Sequence, residues 1–387
     1  MKACTVNRGS LQNAVGITRK ALSKVIIQQE RGHLLFEVAG NTMKISGTNN
    51  DLKAQCLISL VTAVGEQDSF TADPKIMSGV LSKMDTDETT FEHDPDNHTL
   101  KIYTGKGPES FASLQSFPSS TMLTFEPNPG RRATRVSREM LASALRYSVN
   151  YMTPMTEDTR NFDIITISKG VMYAANGSSM MGFMQAESFK PLENLRLRKV
   201  VIPTLASVLE SIEDESVEVI QTTTESGIET GTGTYFSCLN PATDPPSVPI
   251  QNATSEGPYV LVERKLLLKY LDRLVVSHTG GGVIGLQIAL NGSGESSYMD
   301  ISLVSSKSVE RVPCSRIDDP SDTQIIRFME YKILKAILDS LEHADKMRLH
   351  INQDGGKFFK VYDEGSVGKE TYNQVGIGAY VKILSKG

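Results

Sequence analysis

Six histidines and four cysteines are the residues of this 387-residue chain best suited to hold a metal or attack a substrate. Their spacing suits neither use. His33, His93, His98 and His278 show no metal-ligand pattern. Cys4, Cys56, Cys238 and Cys314 lie far apart with no CxxC pair, and read as reduced, buried small hydrophobes. Tyr103 to Pro108 contains a Gly-Lys step, yet it lacks the upstream glycine spacing and the following Ser or Thr of a phosphate-cradling loop. Gly280-Gly281-Gly282 reads as a turn, and Asp85-Thr86-Asp87-Glu88 as solvated loop charge. No catalytic set, no metal site and no cofactor is expected.

The elements that would position any site are more informative. Apolar residues recur at i, i+3, i+4 and i+7, the stripe of an amphipathic helix. The strong copies are Met77-Val80-Leu81-Met84, Leu205-Val208-Leu209-Ile212, Leu267-Tyr270-Leu271-Leu274 and Leu334-Ile337-Leu338-Leu341. Weaker ones are Leu11-Ala14-Val15-Thr18 and Leu141-Ala144-Leu145-Ser148. The stripes begin at 11, 77, 141, 205, 267 and 334, a nearly constant spacing. Extended runs precede them: Thr5-Val6, Ser69-Phe70-Thr71, Ala133 to Val136, Val200-Val201-Ile202, Tyr259 to Val262 and Gln324 to Phe328. Ser10, Asp73-Pro74, Ser137 and Pro203-Thr204 are suited to helix starts.

After each helix the pattern turns β-like, as in Leu34 to Val38, Thr42 to Ser46, Leu100 to Tyr103 and Ile164 to Ile167. The same holds for Val217 to Ile220, Ile284 to Ile288, Met299 to Leu303, Met347 to Ile351 and Gly378 to Ile383. Ala39-Gly40-Asn41, Asp94 to Asn97 and Ser168-Lys169-Gly170 read as the turns between them. Each unit is therefore strand, helix and about three strands. One helix on an open sheet leaves an apolar face uncovered, so two units pair into one domain with the helices on one face. Proline and glycine collect at Glu126 to Gly130 and at Asp244 to Pro258, which divides the chain at 1–128, 131–251 and 257–387. The fold class is α+β with three tandem domains.

With 39% hydrophobic and 22% charged residues, the chain is globular, and no apolar run reaches the length of a membrane helix. The start, Met1 to Val6, runs into alternating sequence without a signal-peptide core, so a cytoplasmic protein is expected. A net charge of −5 argues against a protein that coats DNA, though not against one with a local basic surface.

Order and spacing together resemble the bacterial DNA polymerase III beta subunit, the beta sliding clamp family. The resemblance covers nearly the whole chain. Met1-Lys2 to Val6 with Arg8 and Leu11 is similar to the family's start, and Ile45 to Leu52 to its first-domain strand and Gly-Thr-Asp-Leu turn. Val201-Ile202-Pro203 resembles a second-domain helix entry, and Ala379-Tyr380-Val381 the last strand. The resemblance implies a non-catalytic processivity factor. Two chains join head to tail as a homodimer ring around duplex DNA, which passes without being read for sequence.

In such a ring the helices line the hole and carry phosphate-directed charge. The DNA-facing residues so implied are Arg19, Lys20, Lys24, Arg138, Arg146, Lys265, Lys269 and Arg273. The fourth helix departs, with Glu210 and Glu213 and no base. A basic residue on a helix is also what any solvated face carries, so the repeat must support this assignment. Polymerase and clamp loader are implied to dock through short apolar peptide motifs in a cleft. Its matching residues are Asn176, Gly177, Ser179, Met180, Met181, Pro245, Val248, Ile250, Val381, Ile383 and Leu384.

This chain has Gly177-Ser178-Ser179-Met180-Met181 where the family usually has Asp-Gly-His-Arg-Leu, and it ends Ile383 to Gly387 instead of on a Met-Pro-Met-Arg-Leu-like tail. The position of the cleft carries over; its client preference does not. Ring closure is implied at Phe111 and Leu114 on one side and Leu274, Val275 and Val276 on the other. Two other classes compete, a nucleic-acid-processing enzyme with scattered catalytic groups and a phage structural ring protein. The six-unit spacing favours the clamp.

Overall fold

The computed structural model describes residues 4–22, 32–49, 51–105, 110–119, 132–152, 163–177, 179–241, 257–276, 278, 283–305, 308–317, 324–341, 345–351, 358–367 and 370–380. Its elements follow the repeat. The first unit is β1 (Cys4–Asn7), α1 (Arg8–Thr18), β2 (Leu34–Thr48) and β3 (Leu52–Ala72). The second is α2 (Pro74–Leu81), β4 (Glu88–Asp94), β5 (Thr99–Tyr103) and β6 (Phe111–Gln115). The third is β7 (Arg132–Ser137), α3 (Arg138–Val149), β8 (Ile164–Ser168), β9 (Val171–Asn176) and β10 (Met180–Ala186). The fourth is β11 (Leu195–Arg198), α4 (Ile202–Ser211), β12 (Ser216–Gln221), β13 (Glu225–Glu229) and β14 (Thr234–Leu239). The fifth is β15 (Tyr259–Glu263), α5 (Arg264–Val276), β16 (Gly285–Asn291), β17 (Tyr298–Leu303), β18 (Val309–Pro313) and β19 (Ser315–Ile317). The sixth is β20 (Ile325–Glu330), α6 (Tyr331–Ser340), β21 (Lys346–His350), β22 (Phe358–Val367) and β23 (Glu370–Ala379).

In every α-helix the first stripe residue is the fourth residue of the helix. The stripes are buried throughout, apart from Val80 and Tyr270, which are half-buried. Asn7, and not the expected Ser10, caps α1 by accepting from the Ser10 amide at 3.0 Å. Asp73 caps α2, accepting from the Lys75 amide at 2.7 Å, with Pro74 in the first turn where its missing N–H costs little.

Two compact units result. Residues 1–138 and 204–240 form the first, and 139–203 and 241–387 the second. The first holds a ten-stranded sheet in the order β6-β5-β4-β1-β3-β14-β13-β12-β7, with β2 also on β3. The 21-residue β3 makes this possible. Its Leu52–Cys56 stretch pairs with β14, Leu60 and Thr62 pair with β1, and β2 runs along its length. The second unit has a nine-stranded sheet, β11-β8-β9-β10-β23-β22-β21-β15-β19, and a four-stranded one, β18-β17-β16-β20. All pairings are antiparallel, and α6 covers one face of the nine-stranded sheet: a Cβ on Gly376 would lie 2.4 Å from Ile337, and one on Gly378 2.9 Å from Ile333.

Two local expectations are corrected. Ala39-Gly40-Asn41 is no hairpin turn; β2 continues through it as a bulge, with Gly40 at φ +56° and the register jumping from Gly40↔Val64 to Thr42↔Ser59. A glycine at positive φ signals a turn and a bulge equally well. Val200-Val201-Ile202 is no strand. The Val201 amide donates back to Arg198 O at 3.1 Å, Ile202 opens α4, and the strand lies earlier as β11. Of the expected extended run Gly378 to Ile383, Gly378 and Ala379 belong to β23 and Tyr380 makes an isolated bridge to Met329, while 381–383 lie outside the described residues.

Candidate nucleic-acid interface and peptide cleft

Each odd-numbered helix opens on an arginine that reaches the far end of an even-numbered one. The Arg8 guanidinium donates to Met84 O and its amide to Asp87 O. Arg138 donates Nε to Asp214 O at 2.7 Å and Nη1 to Leu209 O at 2.9 Å, and its amide to Glu215 O. Arg264 donates Nε to Leu338 O at 2.9 Å and its amide to Asp345 O. The Leu209 and Leu338 carbonyls lie in the last turn of α4 and α6 and carry the negative end of the helix dipole, which suits a guanidinium, whereas Met84 and Asp214 lie a few residues beyond α2 and α4. The recurrence of arginine at 8, 138 and 264 was a signal in the sequence, and the hydrophobic pattern alone does not reveal it.

Arg138, a proposed DNA contact by sequence, is thus engaged with carbonyls. The other basic residues sit as follows. Lys265, Lys269 and Arg273 are exposed along α5 and line a shallow groove with Leu268, Asp272 and Val276. Lys265 Nζ is 3.9 Å from Asp345, and Arg273 stacks 4.5 Å from the Tyr270 ring while donating to Glu310 on β18. Asp272 accepts from the Tyr331 hydroxyl at 3.0 Å and pairs with Lys335 at 3.2 Å, so α6 offsets the one acid of this face. Lys269 has no ion-pair partner among the described residues.

Arg19 is exposed just beyond α1, on a short 3-10 turn. Lys20 is half-buried, and its ammonium donates to Ser207 O and Oγ, both at 3.1 Å. Burial, then the Arg19 charge, lowers its pKa against the opposing pull of Glu210. Arg146 is one of only two exposed residues of α3, the other being Glu139, and its charge acts on the buried Tyr372 hydroxyl. Lys24 lies outside the described residues.

Burial pushes the Cys4 and Cys56 thiols up to about 11 and those of Cys238 and Cys314 to about 12, so none is a thiolate near neutral pH. Among the described residues, no three His, Cys, Asp or Glu side chains gather as metal ligands, and no helix is long and apolar enough to cross a membrane.

The peptide-cleft residues centre on β10 between β9 and β23. Asn176 O accepts from the Ser179 amide at 3.2 Å, and Ser179 O from the Ala379 amide at 2.9 Å, which ties the Gly177 turn to the last strand. Strand alternation separates the two methionines. Met180 faces Gly378 across the ladder, on the helix-covered side, and is buried. Met181 faces Ile377 on the opposite side, half-buried. There it packs with Tyr173 and Phe358 against Val171, Phe183, Tyr362, Val375 and Ile377. Tyr173 and Phe358 were missed from sequence, although Tyr173 sits directly across from Phe183 in the same alternation. Ser178, Pro245, Val248, Ile250, Val381, Ile383 and Leu384 lie outside the described residues.

The ring-closure residues divide by exposure. Phe111, 45% exposed, sits on β6, an edge of the ten-stranded sheet, whereas Leu114 on the same strand is buried. Leu274 is core, Val275 half-buried, and Val276 at the end of α5 is 86% exposed. The edge strand β18 adds Val309, 58% exposed, which the sequence pattern did not single out.

No family model matches this sequence, and no curated protein is similar to it. Solved structures are similar along its whole length. The DNA polymerase III beta subunit of Thermotoga maritima superposes with a TM-score of 0.76 at 15% identity, covering 98% of this chain and 99% of that one. The Pseudomonas aeruginosa beta subunit gives 0.79 at 13% identity, over 98% and 100%. The Caulobacter crescentus DNA polymerase sliding clamp gives 0.78 at 12% identity, over 99% and 100%. The chain therefore has the sliding-clamp fold of the DNA polymerase III beta subunit.

Proposed function

We propose that this protein is a divergent DNA sliding clamp, a non-catalytic processivity factor of the cytoplasm whose two copies close into a ring around duplex DNA. The observation that carries this reading is the match of fold over essentially the whole chain, all six helices included. Three clamp domains, 1–128, 131–251 and 257–387, make half of a six-domain ring, and head-to-tail contact closes it after two copies.

Arg19, Lys265, Lys269 and Arg273, with Lys24 and Arg146, would face the phosphates, and Lys20 would contribute only on leaving Ser207. The surface of Met181, Tyr173 and Phe358 would take the apolar anchors of a short peptide from the polymerase or the clamp loader. The edge strands β6 and β18 would pair between copies, since an unpaired strand edge is a template for another strand. Light scattering tests the assembly. It should report about twice the 42.4 kDa chain mass. A monomer across micromolar concentrations, or a trimer, contradicts the ring.

A further inference from the structure

The face of the nine-stranded sheet that carries Met181 changes character from strand to strand. Residues opposite each other across a ladder share one side, so this face can be followed in rows. One row runs Met181, Ile377, Lys360 and His350 over β10, β23, β22 and β21. The next runs Phe183, Val375, Tyr362 and Arg348 over the same strands. Both rows begin apolar on β10 and end basic on β21, and neither holds a carboxylate.

The basic end is enclosed. Lys360 is 4% exposed and His350 1%. Arg348 lies over the Tyr259 and Tyr362 rings, 5.4 and 5.3 Å from their centres, and Tyr259 lies 5.5 Å from the His350 ring. Among the described residues, neither ring nitrogen of His350 makes a hydrogen bond, although a buried polar group ordinarily has one. Burial lowers its pKa to about 4, opposed by the Pro258 backbone and assisted by the Lys360 and Arg348 charges. Near neutral pH the ring is therefore uncharged and keeps one N–H to donate.

We propose that Lys360 and His350 form a carboxylate subsite beside the Met181 surface. Its ligand is the free C-terminal carboxylate of a client peptide whose last apolar side chain sits on Met181 and Ile377. This rests on the peptide-cleft reading and narrows it to clients that carry their motif at the chain end. The carboxylate would accept from the Lys360 ammonium and from the His350 N–H, bonds strengthened by charge. Ile377 and Lys360 are one strand spacing apart, roughly 5 Å, which one or two residues of extended chain span. The row also sinks, from half-buried Met181 to His350 at 1% exposure, so a chain can end there more readily than it can continue past.

Fluorescence anisotropy on the full chain tests this with two probes. One is the labelled pentapeptide Gly-Ser-Leu-Leu-Phe with a free carboxylate, the other the same peptide ending in a carboxamide. The acid should bind wild type about tenfold or more tightly than the amide. That ratio should fall below about twofold in Lys360→Gln and in His350→Gln. Comparing two peptides on one variant cancels any general loss of stability. Met181→Asp should weaken both peptides. Equal binding of acid and amide to wild type, with both weakened by Met181→Asp, overturns the subsite and leaves the apolar cleft standing. If neither peptide binds wild type at millimolar concentration, subsite and cleft both fall. A ratio that persists in either glutamine variant overturns the assignment of that residue. A third probe, Gly-Ser-Leu-Leu-Phe-Asp with a carboxamide end, should bind no better than the first amide; if it matches the free acid, the chain-end client is overturned.

Discussion

Replacing Arg138 by alanine separates a residue that holds the scaffold from one that would touch DNA. The change removes two hydrogen bonds, to Asp214 O at 2.7 Å and to Leu209 O at 2.9 Å, and uncovers the carboxyl end of α4. A bond with one charged partner is worth about 1.5–3 kcal/mol when well formed. The Arg138 side chain is half-buried, which puts the pair at roughly 2–4 kcal/mol in total. In a unit of this size, each kcal/mol moves the unfolding temperature by roughly 2–4 °C. Arg138→Ala should therefore melt roughly 4–16 °C below wild type by calorimetry. Lys269→Ala, exposed and without an ion pair among the described residues, should melt like wild type and instead reduce the salt dependence of DNA binding by about one phosphate contact. If Arg138→Ala melts like wild type and lowers that salt dependence, the carbonyl assignment is refuted.

Further outcomes follow from the same geometry. Met181→Asp should weaken client-peptide binding by about a hundredfold or more with the dimer mass unchanged, because a charge would be buried unpaired on an apolar surface. Removing Ile383 to Gly387 should do the same if the chain's end closes the cleft; unchanged peptide affinity in both rules the cleft out. Met180→Asp, on the helix-covered side, should instead lower the yield of folded protein, and normal expression and melting would contradict its placement. His350 is held neutral, its pKa pushed down from 6.5 to about 4 by burial and by nearby Lys360 and Arg348. Between those values the unfolded chain binds a proton that the folded chain does not, so stability should fall by roughly 2–3 kcal/mol as pH drops from about 6.5 to 4. His350→Gln should flatten the denaturant-unfolding profile across that window, and identical profiles would rule out His350 as the cause.

The helices were the most legible part of the sequence. A stripe such as Leu334-Ile337-Leu338-Leu341 depends only on local period, and each stripe began in the first turn of its helix. The strands were legible as runs but not in their pairing. That Leu52–Cys56 would pair with β14 and Met180–Ala186 with β23 depends on contacts far apart in sequence, and no local pattern encodes them. Polar roles were the least legible. Arg138 and Lys269 look alike on a helical wheel, and only the carbonyls at the end of α4 tell them apart. Tyr173 and Phe358 join Met181 for the same reason, through strand register and not through proximity in the chain.

Retention on circular against linear DNA tests the topological tether most directly. With a net charge of −5 and a modest set of basic helix residues, direct affinity for phosphates should be weak and should fall steeply with salt. A closed ring leaves only by opening an interface or by sliding off an end. Protein loaded on nicked circular duplex should therefore remain through gel filtration at salt that abolishes its direct binding. One cut that linearises the circle should release it. Equal retention on circular and linear DNA would contradict the account.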